Sequence, residues 1–332
     1  MKQFSAGQDF LTYLYDIEND AADVFARFDY SFSPVLIFGQ VADPGLYNLP
    51  TTTPVTTESV TYQAAGVPVS DTYTGTTLWD LLADAGGVTT TTAKNDILSK
   101  YVIATGSDGY QAVFSLGEID PEFGNQPVLV AYADTGGQLG PNASDGLARI
   151  VVPGDIAGGR YVSDLVSLRV QTLPEPGPTG AGGIADVAKL SGAVADPTIV
   201  TPAALSALNQ SMTETATHLA GGSPVTDTYT GVLLWTLIQD AGVLTDPSIK
   251  NDILRFAVVA TGSDGYRAVI SLGEIDPMFG NQPDLVAYAD TGGQLGPNGS
   301  DGLVLPGDQA GGRYVSNIVS LQVIDTSSTH PS

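Results

Sequence analysis

Residues 101–147 of this chain return at 257–303 at a constant offset of 156, identical at 40 of 47 positions. A stretch repeated at that separation has to fold twice, so the chain is built from a duplicated unit of domain size. The likeness spreads outward more loosely. FGQVADPG at 38–45 pairs with SGAVADPT at 191–198, and VSDTYTGTTLWDLLADAGGV at 69–88 pairs with VTDTYTGVLLWTLIQDAGVL at 225–244. VVPGDIAGGRYVSDLVSLRV at 151–170 matches VLPGDQAGGRYVSNIVSLQV at 304–323. DGLARIVVPGD at 145–155 becomes DGLVLPGD at 301–308, three residues fewer, which predicts a shortened strand or a tighter loop in the second copy. The expected organisation is an N-terminal segment 1–34, a first repeat 35–172, a Pro/Gly linker 173–186, a second repeat 187–325 and a tail 326–332.

Within a repeat, VLIFGQV reads as a strand ending in the turn ADPG. TLWDLLADAGG places Leu78, Leu81, Leu82 and Ala85 on one face and closes on glycines, the pattern of a short helix with a glycine C-cap. YVIATGSDGYQAVFSL reads as two strands joined at SDG, and PVLVAYADTGGQL, RIVVPGD and VSLRV supply further strands. Strands dominate, with one early helix, so the expected class is α+β. In the first 34 residues, Phe10, Leu14, Ile17, Ala21, Val24 and Phe28 alternate at spacings of four and three. This predicts an amphipathic helix that packs on the first repeat or on a partner chain.

Twelve Lys and Arg stand against 36 Asp and Glu, a net charge of −24, and charged residues make up only 14% of the chain. Almost no cations are available to neutralise phosphates, which excludes a nucleic-acid partner. The absence of cysteine removes disulfides, thiolate nucleophiles and thiolate metal ligands. His218 has no counterpart in the first copy and His330 lies in the tail, so no histidine site is shared by the repeats. No apolar run is long enough to span a membrane as a helix. The opening MKQFSAGQDF lacks the apolar centre of a signal peptide. The Thr-, Gly- and Tyr-rich, Lys-poor composition points to an extracellular or periplasmic protein whose export signal lies outside this chain.

The ordered series GxVxDPG, YTGxxLWxLL, ATGSDGYxAVxSLGEIDP, LVAYADxGxxL and VxPGDxAGGRYVSxxVSLxV resembles the molybdopterin-binding domain of sulfite-oxidase-like oxidoreductases. It is more similar still to small exported proteins built from that domain alone. The resemblance implies two tandem, mainly-β domains of β-grasp-like fold. In the full enzymes it implies a molybdenum-ligating cysteine between the second strand and the YTG segment, with basic residues holding the pterin and its phosphate. The matching regions here, TYQAAGVPVS at 61–70 and THLAGGSPVT at 217–226, hold no thiol. Only Arg149 and Arg160 in the first repeat and Arg313 in the second stand in matching segments. A molybdenum centre needs a soft ligand and a dianionic phosphate needs charge-assisted donors.

Three motifs recur in both copies. In SDGY, Asp108 and Tyr110, with Asp264 and Tyr266, form either a hairpin turn or the rim of a pocket. In SLGEIDP, Glu118 and Asp120, with Glu274 and Asp276, offer paired carboxylates for acid–base work or a hard cation. The same residues also fit a capping box opened by Ser115 or Ser271. In PGDxAGGRY, Arg160 and Arg313 either pair with carboxylates or contact an anion or partner. Asn142, Asn209 and Asn298 lie in glycosylation sequons. The expectation is an exported or cell-surface binding or structural module without a cofactor. It has no nucleic-acid partner and no membrane span, the sequence names no small-molecule ligand for it, and it meets a protein partner or itself through the N-terminal helix or strand edges. The alternatives are a molybdopterin-dependent oxidoreductase and a self-assembling extracellular subunit.

Overall fold

The computed structural model describes residues 33–49, 54–140, 146–173, 182–185, 187–295 and 302–328. The expected N-terminal helix, most of the linker, the sequons at Asn142 and Asn298, and His330 lie outside these residues. Asn209 lies in a turn before a strand.

Each repeat interleaves its strands between two sheets. In the first repeat, β1 (Ser33–Gly39), β2 (Gly45–Leu49), β5 (Lys100–Gly106), β6 (Gln111–Ser115) and β10 (Leu165–Thr172) form one sheet in the order β2-β1-β10-β5-β6. A second sheet takes β3 (Thr56–Ala64), β4 (Val67–Thr77), β7 (Leu129–Asp134) and β8 (Gly137–Gln138), with β9 (Arg149–Val151) also on β7. The second repeat follows the same plan. One sheet takes β12 (Thr198–Val200), β11 (Ala188–Gly192), β20 (Ile318–Asp325), β15 (Phe256–Gly262) and β16 (Arg267–Ser271) in that order. The other takes β13 (Ser211–Ala220), β14 (Ser223–Leu233), β17 (Leu285–Asp290) and β18 (Gly293–Gln294), with β19 (Gly302–Val304) on β17.

The expectation of an α+β chain made of two tandem β-grasp-like domains is therefore corrected. The protein is mostly β, with four small five-stranded sheets arranged like four blades. Its described helices run only four to eight residues, from α1 (Leu78–Asp84) and α2 (Leu116–Ile119) to α3 (Pro202–Ala207), α4 (Leu234–Ala241) and α5 (Leu272–Ile275). Helices this short cannot cover a sheet face, so the sheets cover one another.

The strand sequences show how. β5 is buried along nearly its whole length. Val102 and Ala104 face the first repeat's core, whereas Tyr101 and Ile103 join a cluster with Ala257, Val259 and Val269 of the second repeat. A strand covered on both sides reads as a continuous apolar run, as YVIATG does. β3 alternates buried with exposed positions instead, because its sheet has a solvent face. Hydroxyl pairs line the exposed hairpin: Thr57 with Thr74 at 3.1 Å, Ser59 with Thr72 at 2.9 Å and Thr61 with Ser70 at 2.8 Å. Thr213–Thr230, Thr215–Thr228 and Thr217–Thr226 repeat the ladder in the second half. Such cross-strand pairs contribute about 0.2–1 kcal/mol each and let a charge-poor chain keep a hydrated surface.

The local signals form as expected. Thr77 caps α1, Leu78, Leu81 and Leu82 are buried, and Gly86 and Gly87 follow with positive φ. The three-residue deletion does not shorten a strand. β9 and β19 are each three residues long, with Arg149 opposite Ala131 and Gly302 opposite Ala287, so the three missing residues are lost before the strand. Gly302 thereby stands where the first repeat has Arg149.

Candidate functional site

The repeats meet through reciprocal contacts, residue i of one on residue j of the other and the reverse, the pattern of an isologous interface within one chain. Asn95 Nδ2 donates to Tyr266 Oη at 2.8 Å, and Asn251 Nδ2 donates to Tyr110 Oη at 2.9 Å. Both asparagines are left-handed, at φ 51°, a conformation that asparagine tolerates better than most residues. The tyrosines pass their own protons to backbone carbonyls, Tyr110 to Gly159 at 2.6 Å and Tyr266 to Gly312 at 2.5 Å. Ile156 N donates to Phe279 O, and Gln309 N to Phe123 O. Burial pushes both tyrosine hydroxyls up from their ordinary value.

At the centre of this interface lie the two PGDxAGGRY arginines. Arg160 Nε donates to Asp155 Oδ2 at 2.9 Å, Nη2 to Asp155 Oδ1 at 2.5 Å, and Nη1 to Glu118. Arg313 repeats this with Asp308 at 2.9 and 2.5 Å and with Glu274 at 2.5 Å. Both guanidinium groups are 3% exposed or less. Desolvation works against their charge, but the adjacent carboxylates outweigh it and hold them firmly protonated. Each arginine stem crosses to the other repeat. A Cβ on Gly117 would stand 2.5 Å from Arg313 Cδ, and one on Gly273 would stand 2.6 Å from Arg160 Cδ. Gly124 and Gly280 leave room for the guanidinium ends in the same way.

Ser115 and Ser271 act as the capping-box reading expects, accepting from Glu118 N at 3.0 Å and Glu274 N at 3.2 Å. They also reach across the interface, Ser271 Oγ to Glu118 Oε2 at 3.1 Å and Ser115 Oγ to Glu274 Oε2 at 3.4 Å. Asp120 and Asp276 stay apart from this network, each accepting from a backbone N–H two residues on. Among the described residues no group of three or more His, Asp or Glu is disposed to hold a metal ion.

The remaining candidates occupy other places. Asp108 and Asp264 close their hairpin turns by accepting from Tyr110 N and Tyr266 N, each at 2.9 Å. Asp264 and Tyr266 also border a cleft of about 340 Å³ with Lys94 and Asn95 of the first repeat. Arg149 is buried in the first repeat's second sheet. Its guanidinium lies 5.1 Å from the Tyr73 ring and 5.6 Å from the Tyr161 ring, and it donates to Tyr73 Oη at 3.1 Å. The structure thus brings Tyr110, Arg160, Tyr266 and Arg313 to the inter-repeat interface and leaves Arg149 away from it.

Between the arginine networks lies a cavity of about 200 Å³ bordered by residues of both repeats. One of its carboxylates has no counterpart in the other repeat: Asp284 occupies the position of Val128. Its side chain is 3% exposed and its Oδ2 has no hydrogen-bond partner among the described residues. Desolvation and then the Glu274 carboxylate push Asp284 well above the ordinary carboxyl range. Desolvation likewise raises Glu274 to about 7, despite Arg313 beside it. Sequence reading missed Asp284, although a signal was present. PVLVAY becomes PDLVAY, a carboxylate placed immediately before an otherwise unchanged strand. The glycines facing the arginines and the Asn95/Asn251 pair were also missed, because nothing local distinguishes them from turn residues.

The molybdopterin that the resemblance implies does not fit these residues. The chain has no thiol, Arg160 and Arg313 are engaged by their own carboxylates, and Arg149 is enclosed by tyrosines. No family model matches the chain. No curated protein matches it either. Among solved structures it is similar to the sulfane dehydrogenase SoxCD from Paracoccus pantotrophus, at 15% identity and a TM-score of 0.34. The match covers 71% of this chain and 58% of that one. This is a distant structural neighbour. No helix among the described residues is long and apolar enough to cross a membrane.

Proposed function

We propose that the chain is a non-catalytic binding or structural module, exported or displayed at a cell surface, in which two repeats are locked into one body. The observation that carries this reading is the use made of its basic groups. The arginines that could grip a phosphate instead clamp the repeat interface, each saturated by two carboxylates of its own half. Releasing either for a ligand would leave buried carboxylates uncompensated, at a cost of about 3–5 kcal/mol. The hydroxyl-paired hairpins support the exported setting, since they hydrate the surface with little charge.

Elemental analysis of the purified protein tests this reading. The expected result is no stoichiometric molybdenum or tungsten. About one such atom per repeat would restore the oxidoreductase alternative.

A further inference from the structure

The cavity between the arginine networks is out of charge balance. On the first repeat's side Glu118 and Asp155 face Arg160, whereas on the second side Glu274, Asp308 and Asp284 face Arg313. With every group ionised, five carboxylates stand against two guanidinium groups. A low-dielectric interior does not hold such an excess without protons or a counter-cation. Eight of the ten oxygens of these carboxylates accept a hydrogen bond from an arginine or a serine, but Asp284 Oδ2, buried and bordering the cavity, has no partner among the described residues.

We infer that this cavity binds a small primary ammonium ion, with Asp284 as its charge partner. The inference deepens the binding-module reading by naming a ligand class. Several features favour an ammonium over other occupants. The volume of about 200 Å³ exceeds the ~30 Å³ share of one water several-fold, so a methylammonium-sized group fits with water to spare. No cluster among the described residues has the ligand set of a divalent metal. A primary ammonium brings one charge and three N–H donors, which suits an unpartnered carboxylate oxygen in a cavity that Gln126 and Gln282 also border. Proton occupancy competes with this ligand. Desolvation raises Asp284 and Glu274, and the groups facing them are Arg313, Glu118 and Asp308. Binding therefore releases protons and tightens as pH rises.

Asp284 can be tested without dismantling the fold. Its backbone carbonyl accepts from Leu234 N at 2.8 Å, as Val128 O accepts from Leu78 N at 2.7 Å, so the main chain does not depend on the side chain. The full chain at pH 8 is heated in graded methylammonium chloride. Sodium chloride and tetramethylammonium chloride at equal ionic strength serve as controls, and Asp284→Val and Asp284→Asn are run beside the wild type. Methylammonium should raise the wild-type Tm saturably by about 2–4 °C beyond either control, with proton release on mixing. Both variants should fold and lose the effect. An equal shift in sodium or tetramethylammonium chloride, an unchanged response in both variants, or no shift at all would overturn the inference. None of these outcomes alters the metal analysis, so the binding-module reading stands or falls separately.

Discussion

The two repeats share a frame but not a charge balance, and three of the differences within their most similar stretch fall where the copies meet. Of the seven positions at which 101–147 departs from 257–303, two pairs, Tyr101/Ala257 and Ile103/Val259, fall in the cluster the two halves build together. A third, Val128/Asp284, borders the cavity between the arginines. Identical halves would place two tyrosines in one shared core, where added volume costs about 1–3 kcal/mol. A large residue in one half and a small one in the other avoids that. The same asymmetry extends along the second sheet. The first repeat stacks Tyr62 on Tyr161 at 4.4 Å and holds Arg149 over Tyr73 and Tyr161. The second stacks His218 on Tyr314 at 4.4 Å, has Gly302 at the Arg149 position, and gains Asp284. The second half thus has one cation fewer and one anion more than the first at these positions. Part of the divergence between the copies therefore falls at the seam where they meet.

The largest effect that can break this comparison comes from the clamping arginines. Arg160→Ala leaves Glu118 and Asp155 buried without a counter-charge, and Arg313→Ala leaves Glu274, Asp308 and Asp284. Loss of one partner from a buried ion pair costs about 3–5 kcal/mol. Urea unfolding at pH 7 should therefore show both variants severely destabilised, Arg313→Ala the more so. Equal losses would mean that Asp284 does not sense Arg313 as their placement requires.

A smaller and more selective effect concerns pH. Glu274 and Asp284 both have folded values raised above their ordinary ones, so the folded protein holds protons that the unfolded chain releases. Stability is then fully present below the ordinary carboxyl range and falls as pH rises through the raised values. For Glu274 the fall runs from about 4.5 to about 7. Asp284→Val removes one of the two groups and should raise stability at pH 8 by about 1–3 kcal/mol, with little effect at pH 4. Val128→Asp, the reverse change in the first repeat, should destabilise at pH 8. Urea midpoints measured from pH 4 to 8 check both, and parallel wild-type and Asp284→Val curves would remove Asp284 from the account.

Much of the local structure was legible because its causes are local. Apolar spacing in TLWDLLADAGG, the serine cap before Glu118 and the glycine turn at SDG each act within a few residues, and each formed as expected. The fold class was misjudged because it depends on what covers each sheet. YVIATG and AVVATG read equally well as buried strands under a helix or against a second copy of themselves, and the structure has the second. The site was half legible for the same reason. Arg160 and Arg313 stood out in a cation-poor chain, and their pairing with carboxylates followed from burial. That their stems lie across Gly273 and Gly117 of the opposite repeat is a long-range fact that no spacing encodes.

The smallest expected effect is also the one that tests the symmetry most directly. Tyr110→Phe and Tyr266→Phe each remove a hydroxyl that donates to a carbonyl of its own repeat and accepts from an asparagine of the other. A net hydrogen bond contributes about 1 kcal/mol, and each half-buried phenol loses two. The variants should each cost about 1–2 kcal/mol, by equal amounts, because the surroundings are reciprocal down to Lys250 at 5.9 Å from the Tyr110 ring and Lys94 at 6.0 Å from the Tyr266 ring. Asn251→Ala should remove part of what Tyr110→Phe removes, and in a double-mutant cycle the two should be non-additive. Additive losses would show that the asparagine and tyrosine do not act on one another, and the clasp between the repeats would then rest on the arginines and the shared apolar cluster alone.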